Sequence, residues 1–362
     1  MKIYIDGLFY KGAGIGRYYE SLLREFAKRG IFVYTCIPEY LKDNFKDEFK
    51  DLADRIFPIY TEYQKFSIKG FLKQSKILKD LEKDVDLFFY PHINLPIYIP
   101  KKTIITIHDI IPLTNFWDRS VVKKLVFFQY LRRAMKSSIG VVTISNTTKR
   151  DLEILFKEDI GDIKVIYNFV DEKFTKANYE NRNIIGDDYI LFVGSRKKHK
   201  NLRNLIIAYS RIIKNINVKL VIAGPIEQKN NEINLLIKEL NMGKYVIEFI
   251  SPKDEELVSL YKNAKLFVFP SFYEGFGLPP LEALSLDCPV ITSNIPIFKE
   301  IYGDKIACFD PYNIENIAEN ILTVLKDESL RLNLLKEGKQ RLKIFDKNKA
   351  VEEYIKYFTS FL

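Results

Sequence analysis

The sequence predicts an α/β protein with two doubly wound domains, each a parallel sheet with helices on both faces. Short apolar runs alternate with amphipathic stretches along nearly all of its 362 residues, a pattern typical of parallel sheets that are covered on both sides. A polar stretch without periodicity, residues 171–188, divides the chain into halves of similar size. Because each half has the length of an ordinary domain, we expect a first domain at residues 1–172 and a second at residues 186–343.

Six strands are expected in each half, with helices between them. The strand-like runs are residues 2–5, 31–36, 87–90, 104–107, 141–144 and 165–167 in the first half, and 190–193, 219–223, 246–250, 266–269, 290–292 and 307–309 in the second. The clearest helix patterns cover residues 15–28, 123–135, 202–213 and 313–325, and Ser145 is the expected N-cap of a further helix. Sheets of this kind bind ligands beyond the carboxyl ends of their strands. We therefore expect functional residues directly after strands, and a cleft where the two domains face each other.

Composition excludes several classes of protein. The chain is 47% hydrophobic and 28% charged, as in ordinary globular proteins, and three scattered cysteines without a CxxC motif argue against a disulfide scaffold or a thiolate metal site. An acidic residue comes early, at Asp6, and no long uncharged apolar run follows, so we predict a cytoplasmic protein without a membrane span. The net charge of +9 indicates anionic partners such as sugar nucleotides, lipid headgroups or nucleic acid, although a solvated lysine-rich surface explains it equally well. Because the basic residues are dispersed, we do not expect a nucleic-acid partner.

A glycine-rich loop follows the first strand and opens a helix, with the sequence Gly12-Ala13-Gly14-Ile15-Gly16-Arg17. Glycines let backbone N–H groups approach a phosphate at a helix N-terminus. However, Arg17 occupies the place of the third glycine of a dinucleotide-binding motif. A phosphate contact and a tight turn without a ligand both fit this loop.

The segment Asp84-Val85-Asp86 resembles a metal-binding DxD motif on its letters alone. It comes before the strand at residues 87–90, at the edge of the sheet opposite to the functional one. We therefore interpret it as a solvated turn and expect no metal site.

Polar residues follow two strands of the first half. His108 and Asp109 come directly after the strand at 104–107, where they could bind sugar hydroxyls or assist proton movement. The alternative is that His108 caps backbone groups and Asp109 is a turn residue. His92, after the strand at 87–90, has the same kind of position, but we expect a structural role for it.

A cationic loop follows the first strand of the second half and opens a helix; it reads Gly194-Ser195-Arg196-Lys197-Lys198-His199-Lys200-Asn201. Such a loop suits a diphosphate whose negative charge grows as its bond to a sugar breaks. Arg196 could grip two phosphate oxygens at once, and Lys200 could act as a point charge.

The most informative string follows the strand at 266–269 and runs Glu274-Gly275-Phe276-Gly277-Leu278-Pro279-Pro280-Leu281-Glu282. Its glycines allow backbone amides to meet a ligand. The two prolines suit the first turn of a helix, which places Glu282 one turn inside it. Two carboxylates arranged in this way fit a nucleotide sugar, one binding the sugar hydroxyls and the other the ribose diol.

Together these motifs resemble the retaining glycosyltransferase family 4, whose GT-B architecture consists of two Rossmann-like domains. The resemblance covers essentially the full chain and rests on Gly14 and Gly16, His108-Asp109, the loop at 194–201, and the E-x7-E string from Glu274 to Glu282. It implies that the C-terminal segment, residues 344–362, crosses back to pack on the first domain. Many family members place Arg directly after the strand-end glycine, where this chain has Ser195 and then Arg196.

The resemblance implies a role for each site residue. Gly14, Gly16, Ser195, Arg196 and Lys200 would surround the diphosphate, with Lys200 pairing with it. Glu274 would contact the donor sugar, Glu282 the ribose hydroxyls, and the amides of Phe276, Gly277 and Leu278 would line the donor. Glu274, His108, Asp109, Arg196 and Lys200 would make up the catalytic set.

The implied reaction is transfer of a sugar from a nucleotide diphosphate to an acceptor hydroxyl, with retention at the anomeric carbon and without a metal or any cofactor besides the donor. The string at residues 106–113 resembles a mannosyltransferase-like branch, which favours GDP-mannose but leaves UDP-linked or other sugars open. A glycan or a lipid-linked molecule is the expected acceptor. The basic and aromatic stretch at 121–133 suits either contact with the inner face of a membrane or packing of a helix on the sheet. A sugar-nucleotide epimerase of similar architecture and a non-catalytic sugar-nucleotide-binding protein are the alternatives.

Overall fold

Two parallel sheets, one in each half of the chain, organise the structure, a computed structural model that describes residues 1–12, 14–62, 68–117, 120–157, 161–174, 182–226 and 232–362. The chain divides into two compact units. Residues 1–113, 119–168 and 347–362 belong to the first, and residues 114–118 and 169–346 belong to the second. Ala13 of the glycine-rich loop and residues 175–181 of the predicted linker lie outside the described residues.

The first unit is built around a seven-stranded sheet in which every neighbouring pair is parallel, in the order β3-β2-β1-β4-β5-β6-β7. The elements are β1 (Lys2–Asp6), α1 (Gly14–Lys28), β2 (Phe32–Pro38), α2 (Lys42–Glu48), β3 (Ile56–Thr61), α3 (Ile68–Leu81), β4 (Leu87–Tyr90), β5 (Thr103–Ile107), α4 (Val121–Lys136), β6 (Gly140–Thr143), α5 (Asn146–Phe156) and β7 (Ile163–Val165). The central strands β4 and β5 are buried at every position, because helices cover both faces of the sheet.

The second unit contains a six-stranded parallel sheet in the order β10-β9-β8-β11-β12-β13. Its elements are β8 (Tyr189–Val193), α6 (Leu202–Ile212), β9 (Lys219–Gly224), α7 (Glu232–Glu239), β10 (Val246–Ile250), α8 (Asp254–Asn263), β11 (Leu266–Phe269), α9 (Leu278–Ser285), β12 (Val290–Ser293), α10 (Pro296–Tyr302), β13 (Ala307–Phe309), α11 (Ile314–Lys326) and α12 (Glu328–Leu342). One part of its core is formed by apolar residues of the strands together with α6, α7 and α11, and α8, α9 and α10 contribute further buried apolar residues.

Each sheet has one place where neighbouring strands lead into connections that run in opposite directions. In the first sheet this place lies between β1 and β4, and in the second it lies between β8 and β11. We call the carboxyl ends of these two strand pairs the first and the second crossing point. In doubly wound sheets, ligands bind in the crevice that opens at such a point.

The predicted α/β class is confirmed, and all twelve predicted strands are present, although β7 lies two residues earlier than the run at 165–167. The sequence analysis missed β3, the edge strand of the first sheet. Pro58 lies within it, and proline is tolerated at an edge, although it weakens the strand pattern in the sequence. Ser145 caps α5 as predicted, since its side chain accepts a hydrogen bond from the Thr148 N–H at 3.1 Å.

The last helix, α13 (Lys347–Thr359), belongs to the first unit. The rings of Tyr354 and Phe358 are fully buried, and Lys347 Nζ lies 2.7 Å from Glu25 Oε1 on α1. Burial alone would raise the pKa of Glu25, but hydrogen bonds and charge from Lys347 and Arg29 outweigh it and hold that pKa below its ordinary value. An ion pair thus joins the two ends of the chain within this unit.

Neither a membrane span nor a metal cluster is found in the part of the chain that the structure describes. No helix there is long and apolar enough to cross a bilayer, and no three His, Cys, Asp or Glu side chains gather as metal ligands. The Asp84-Val85-Asp86 segment lies just before β4, where Asp86 accepts a hydrogen bond from the Lys2 N–H at 2.8 Å. This segment is therefore at the amino end of the strands.

Candidate functional site

An ion pair spans the second crossing point. Lys200, in the loop after β8, places its Nζ 2.7 Å from Oε1 of Glu274, in the loop after β11. The hydroxyl of Ser271 donates a hydrogen bond to the same oxygen at 2.7 Å. The side chains of Lys200 and Glu274 are only 15% and 9% exposed, so the two charges face each other with little water between them.

Glycine and asparagine shape the loop that carries Lys200. A side chain on Gly224, whose φ is +142°, would meet the Gly194 carbonyl oxygen at 2.2 Å, so only glycine allows β8 and β9 to approach here. Asn201 adopts the left-handed conformation with a φ of 56°. Its amide nitrogen donates to the carbonyl oxygens of Pro270 at 3.0 Å and Pro311 at 2.8 Å. These bonds fix the end of the loop against the segments that follow β11 and β13.

His199 is a site residue that the sequence analysis did not single out. Its backbone oxygen accepts a hydrogen bond from the Phe272 N–H at 2.8 Å, which joins the loops after β8 and β11. Burial lowers the pKa of His199 to about 4, although the nearby carboxylate of Glu274 raises it. The imidazole is therefore neutral at pH 7. Its position beside Lys200 could have indicated a site residue, but a histidine within a run of lysines has the pattern of a solvent-exposed charged segment.

The second carboxylate of the E-x7-E string lies on α9, as the sequence predicts. This helix begins at Leu278 with the two prolines in its first turn, and Glu282 follows one turn later. The side chain of Glu282 is buried and accepts a hydrogen bond from the Tyr261 hydroxyl at 2.9 Å. Gly277 precedes the helix with a φ of +88°, and a side chain there would lie 2.6 Å from the Phe298 ring.

Arg196 belongs to a different ion pair from Lys200. Its guanidinium pairs with Glu248 on β10 and donates to Oδ1 of Asn234 on α7 at 3.0 Å. The side chain is 3% exposed. Ser195, directly after the strand-end glycine, is partly buried. The expected contacts of both residues with a diphosphate remain predictions.

In the first unit, His108 and Asp109 make the contacts that their structural alternative predicts. Nε2 of His108 donates to the Pro91 carbonyl oxygen at 2.9 Å, and Oδ1 of Asp109 accepts the Ile111 N–H at 2.9 Å in a turn. Burial lowers the pKa of His108 to about 4, so this imidazole is neutral at pH 7. Their catalytic role stays a prediction.

The glycines of the first loop differ in their surroundings. α1 begins at Gly14, around which a side chain would meet nothing within 4 Å, whereas a side chain on Gly16 would lie 2.5 Å from the Phe9 carbonyl oxygen. Gly16 is therefore required by packing, and its expected contact with a diphosphate remains a prediction, as does that of Gly14.

The first crossing point holds a buried pair that the sequence analysis did not assign to a site. Oδ1 of Asp6 lies 2.9 Å from Nε2 of His92, and both side chains are almost inaccessible. Because Nδ1 of His92 accepts the Asn94 N–H at 3.1 Å, Nε2 carries the ring proton and donates it to Asp6. The Tyr4 hydroxyl donates to the other oxygen of Asp6 at 2.9 Å. These contacts are of the structural kind that we expect for His92.

Comparison with known proteins assigns both units to one class of enzyme. Residues 12–174 match the family described as Glycosyltransferase Family 4, and residues 175–341 match the family described as Glycosyl transferases group 1. The two matched regions adjoin and leave only short ends outside. The chain therefore belongs to glycosyltransferase family 4, as the sequence motifs predict.

Its curated relatives include two enzymes named for mannosyl transfer. The chain is 29% identical over 251 residues to the serotype-specific mannosyltransferase WbdA of Escherichia coli, a match that covers 64% of this chain and 30% of the relative. It is 30% identical over 207 residues to the O-antigen chain mannosyltransferase RfbU of Salmonella typhimurium, covering 57% of this chain and 56% of the relative. The chain thus spans about a third to about half of the length of these relatives.

Solved structures with the same fold cover almost all of the chain. Sucrose-phosphate synthase from Thermosynechococcus elongatus matches 99% of it with a TM-score of 0.80 and 16% identity, over 98% of that protein. HepE from Anabaena, solved with UDP and glucose, matches 99% with a TM-score of 0.76 and 16% identity, over all of that protein. The fold is therefore GT-B, with two Rossmann-like domains.

Proposed function

We propose that this chain is a retaining glycosyltransferase that moves a sugar from a nucleoside diphosphate to a hydroxyl of a glycan or lipid-linked acceptor, without a metal. The carrying observation is the Lys200–Glu274 ion pair at the second crossing point, the place where a sheet of this kind binds nucleotides. The family of the chain supports the class of reaction. Mannose is the favoured sugar and GDP-mannose the favoured donor, because two relatives are named mannosyltransferases.

Lys200 supplies the charge that departure of the diphosphate requires. As the bond between the anomeric carbon and the diphosphate oxygen lengthens, negative charge accumulates on that oxygen. A fixed cation in a site with little water stabilises this charge strongly. The ammonium group has three N–H donors and directs one of them to Glu274, so further donors remain for phosphate oxygens. The amides of Gly14, Gly16 and Ser195 are the other proposed diphosphate contacts, whereas Arg196 is paired with Glu248.

The two carboxylates bind the two sugars of the donor. Among the described residues, Lys200 and Ser271 both bind Oε1 of Glu274, which leaves Oε2 to accept a hydrogen bond from a hydroxyl of the transferred sugar. Glu282 would bind the ribose diol, held in place by Tyr261. The backbone amides of Phe276, Gly277 and Leu278 would line the donor.

Retention follows from attack on the face that the diphosphate leaves, with a leaving oxygen accepting the proton of the acceptor hydroxyl. A double displacement would instead require a carboxylate directly beneath the anomeric carbon, whereas the proposed role of Glu274 is to bind a hydroxyl of the transferred sugar through Oε2 while Lys200 and Ser271 hold Oε1. In the first unit, His108 is neutral at pH 7 and already donates from Nε2. Its proposed role is therefore to hold a sugar hydroxyl together with Asp109, and not to act as a cationic acid.

Helix α4 is the proposed contact with an anionic membrane that carries a lipid-linked acceptor. Its inner face packs through Leu131, Ala134 and Met135. Its outer face exposes apolar residues in the first two turns, namely Val121, Val122, Leu125 and Val126 at 58–82%. The helix also carries five basic residues and no acidic one. An exposed apolar patch on a helix with an excess of positive charge suits the surface of an anionic bilayer.

The donor is tested by calorimetric titration of GDP, UDP and ADP with a chelator present. One nucleotide should bind, and Glu282→Gln should weaken its binding by about tenfold through loss of a charged hydrogen bond to the ribose. Tighter binding of UDP than of GDP would refute GDP-mannose as the donor but would leave the proposed type of reaction unchanged. Absence of binding at millimolar concentration would refute the transferase proposal.

The reaction class is tested by proton NMR with the tight-binding nucleotide sugar and no acceptor. A retaining transferase should release by slow hydrolysis the sugar anomer that matches the donor, whereas the opposite anomer would refute retention. Conversion of the donor into an epimer would favour the epimerase. Binding without turnover, also when glycan acceptors are supplied, would favour the non-catalytic protein.

Membrane contact is tested by flotation with phosphatidylcholine vesicles that contain or lack phosphatidylglycerol. The chain should float only with the anionic vesicles, and Leu125→Gln with Val126→Gln should abolish this. Equal flotation with both kinds of vesicle, or no flotation with either, would refute the proposed contact of α4 with an anionic membrane.

A further inference from the structure

The side chains of Arg196 and Lys200 point in opposite directions from the same loop. Lys200 pairs with Glu274, which follows β11, whereas Arg196 pairs with Glu248 on β10. In the sheet, β11 lies on one side of β8, and β9 and then β10 lie on the other. The Lys200 side chain is therefore at the crossing point, and the Arg196 side chain extends across the end of β9 to the far edge of the sheet.

The end of β9 is shaped for this passage. Gly224 ends the strand, and its missing side chain lets the Gly194 carbonyl oxygen approach to a distance that no other residue allows. The first turn of the loop therefore lies directly on β9. From there Arg196 reaches Glu248 and also Asn234 on α7. Three separate elements thus hold the start of the loop.

We propose that Arg196 is a positioning residue, which through Glu248 holds the loop so that Lys200 meets the diphosphate, and is not itself a phosphate ligand. This inference rests on the proposed function and replaces one of its expected contacts. A buried guanidinium with a carboxylate partner and an amide partner has its charge matched within the protein. To reach a phosphate at the crossing point it would have to leave both partners and turn towards the other side of β8.

This role explains why an arginine one position later than the usual one is compatible with the site. The residue directly after the strand-end glycine is Ser195, so the position from which many family members direct an arginine lacks a cation in this chain. Arg196 is displaced by one residue, and its contacts with Glu248 and Asn234 place its side chain on the side of β8 away from the crossing point.

The test compares Arg196→Gln, Glu248→Gln and the charge exchange of Arg196→Glu with Glu248→Arg. GDP affinity, or UDP affinity if UDP binds more tightly, is measured by calorimetry. If the pair positions the loop, each single variant should weaken binding by about three- to tenfold and the exchange should restore most of it. If Arg196 binds phosphate, Glu248→Gln should leave the affinity unchanged or improve it, and the exchange should weaken it further than either single variant, which would overturn the inference.

Hydrogen exchange of the loop amides supplies a readout that needs no nucleotide. The Lys200 N–H donates to the Lys197 carbonyl oxygen at 2.9 Å, and the Asn201 N–H to that of Lys198 at 3.1 Å. Both amides should exchange faster in Glu248→Gln, and the charge exchange should restore their protection. Unchanged protection in Glu248→Gln would overturn the positioning role even if no nucleotide binds, in which case the proposed function fails separately.

A surface ion pair of the same unit is the matched control. Lys305 and Glu337 lie 2.8 Å apart with side chains 48% and 26% exposed. Exchanging their charges should change neither the affinity nor the loop protection, because exposed pairs contribute little. An effect as large as that of Glu248→Gln would show that the readouts report general destabilisation, and would overturn the inference.

Discussion

The proposed function gives the Lys200–Glu274 pair a role in catalysis in addition to its contribution to stability, and paired substitutions can separate the two. Lys200→Met leaves Glu274 buried, with the Ser271 hydroxyl as its remaining partner. Removing one partner of a fully buried pair costs about 3–5 kcal/mol. Because Lys200 is 15% exposed and one hydrogen bond to Glu274 persists, we expect a cost at or below the lower limit of that range, about 2–3 kcal/mol.

The double variant Lys200→Met with Glu274→Gln removes both charges, and replacing both partners of a buried pair is often nearly neutral. Its urea midpoint should therefore return most of the way to that of the unaltered chain. Its turnover should not return, because loss of a fixed charge at the leaving group costs about 10²–10³ in kcat.

The assays are urea unfolding followed by circular dichroism and initial rates of nucleotide release from the donor. Lys200→Arg is the conservative control, which keeps the charge and should retain stability better than Lys200→Met. Recovery of turnover in the double variant, or a kcat for Lys200→Met within about threefold of normal, would refute the role assigned to the cation.

Three further predictions concern backbone, charge and protonation. Gly277→Ala should lower the free energy of unfolding by about 1–3 kcal/mol because of its positive φ and the clash with the Phe298 ring. Gly243→Ala is the control, since a side chain there would meet nothing within 4 Å, and thermal unfolding of the two variants measures the difference. Lys347→Met should destabilise the chain at pH 7, and the measurement is the urea midpoint as a function of pH. The pKa of Glu25 in the folded chain lies below its ordinary value of 4.5. The ion pair therefore loses its stabilising effect as the pH falls below 4.5 and through this lowered pKa, and the cost of Lys347→Met should shrink over the same interval. The pKa of His108 is about 4 in the folded chain and has its ordinary value of 6.5 in the unfolded chain. The unfolded chain therefore binds an extra proton between these pH values, so stability should decrease as the pH is lowered from 6.5 to about 4, and less steeply in His108→Gln. Parallel pH curves for His108→Gln and the unaltered chain would contradict that assignment.

The strands and the class of fold could be predicted because buried parallel strands appear as continuous apolar runs. β5, with the sequence Thr103–Ile107, is buried at all five positions and is recognisable without any knowledge of its neighbours. β3 shows where this fails, since it lies at the edge of its sheet, is only partly buried and contains Pro58. Its place in the sheet depends on pairing with β2, which a local pattern does not record.

The positions of candidate site residues could be predicted where they follow a strand, and their contacts less well where the partners come from elsewhere in the fold. The rule that ligands bind at carboxyl ends of strands selected Lys200 and Glu274, which the structure brings together. The same rule selected Arg196, whose partner Glu248 lies on a strand two places away from β8. Residue type and position along the chain do not determine to which side of a strand a side chain turns.

The two crossing points have the same topology but different remaining capacity for hydrogen bonding. At the first, the oxygens of Asp6 accept bonds from Tyr4, Leu8, Gln74 and His92, and both nitrogens of His92 are used. At the second, only Oε1 of Glu274 is bonded among the described residues, and the Lys200 ammonium keeps further donors. A carboxylate and an imidazole whose oxygens and nitrogens are already bonded gain little from a ligand, whereas an ion pair with hydrogen-bonding groups still available gains from one. The position of a residue at a crossing point therefore indicates where a ligand can bind, and the available hydrogen-bonding groups of Lys200 and Glu274 favour the second crossing point for the proposed donor.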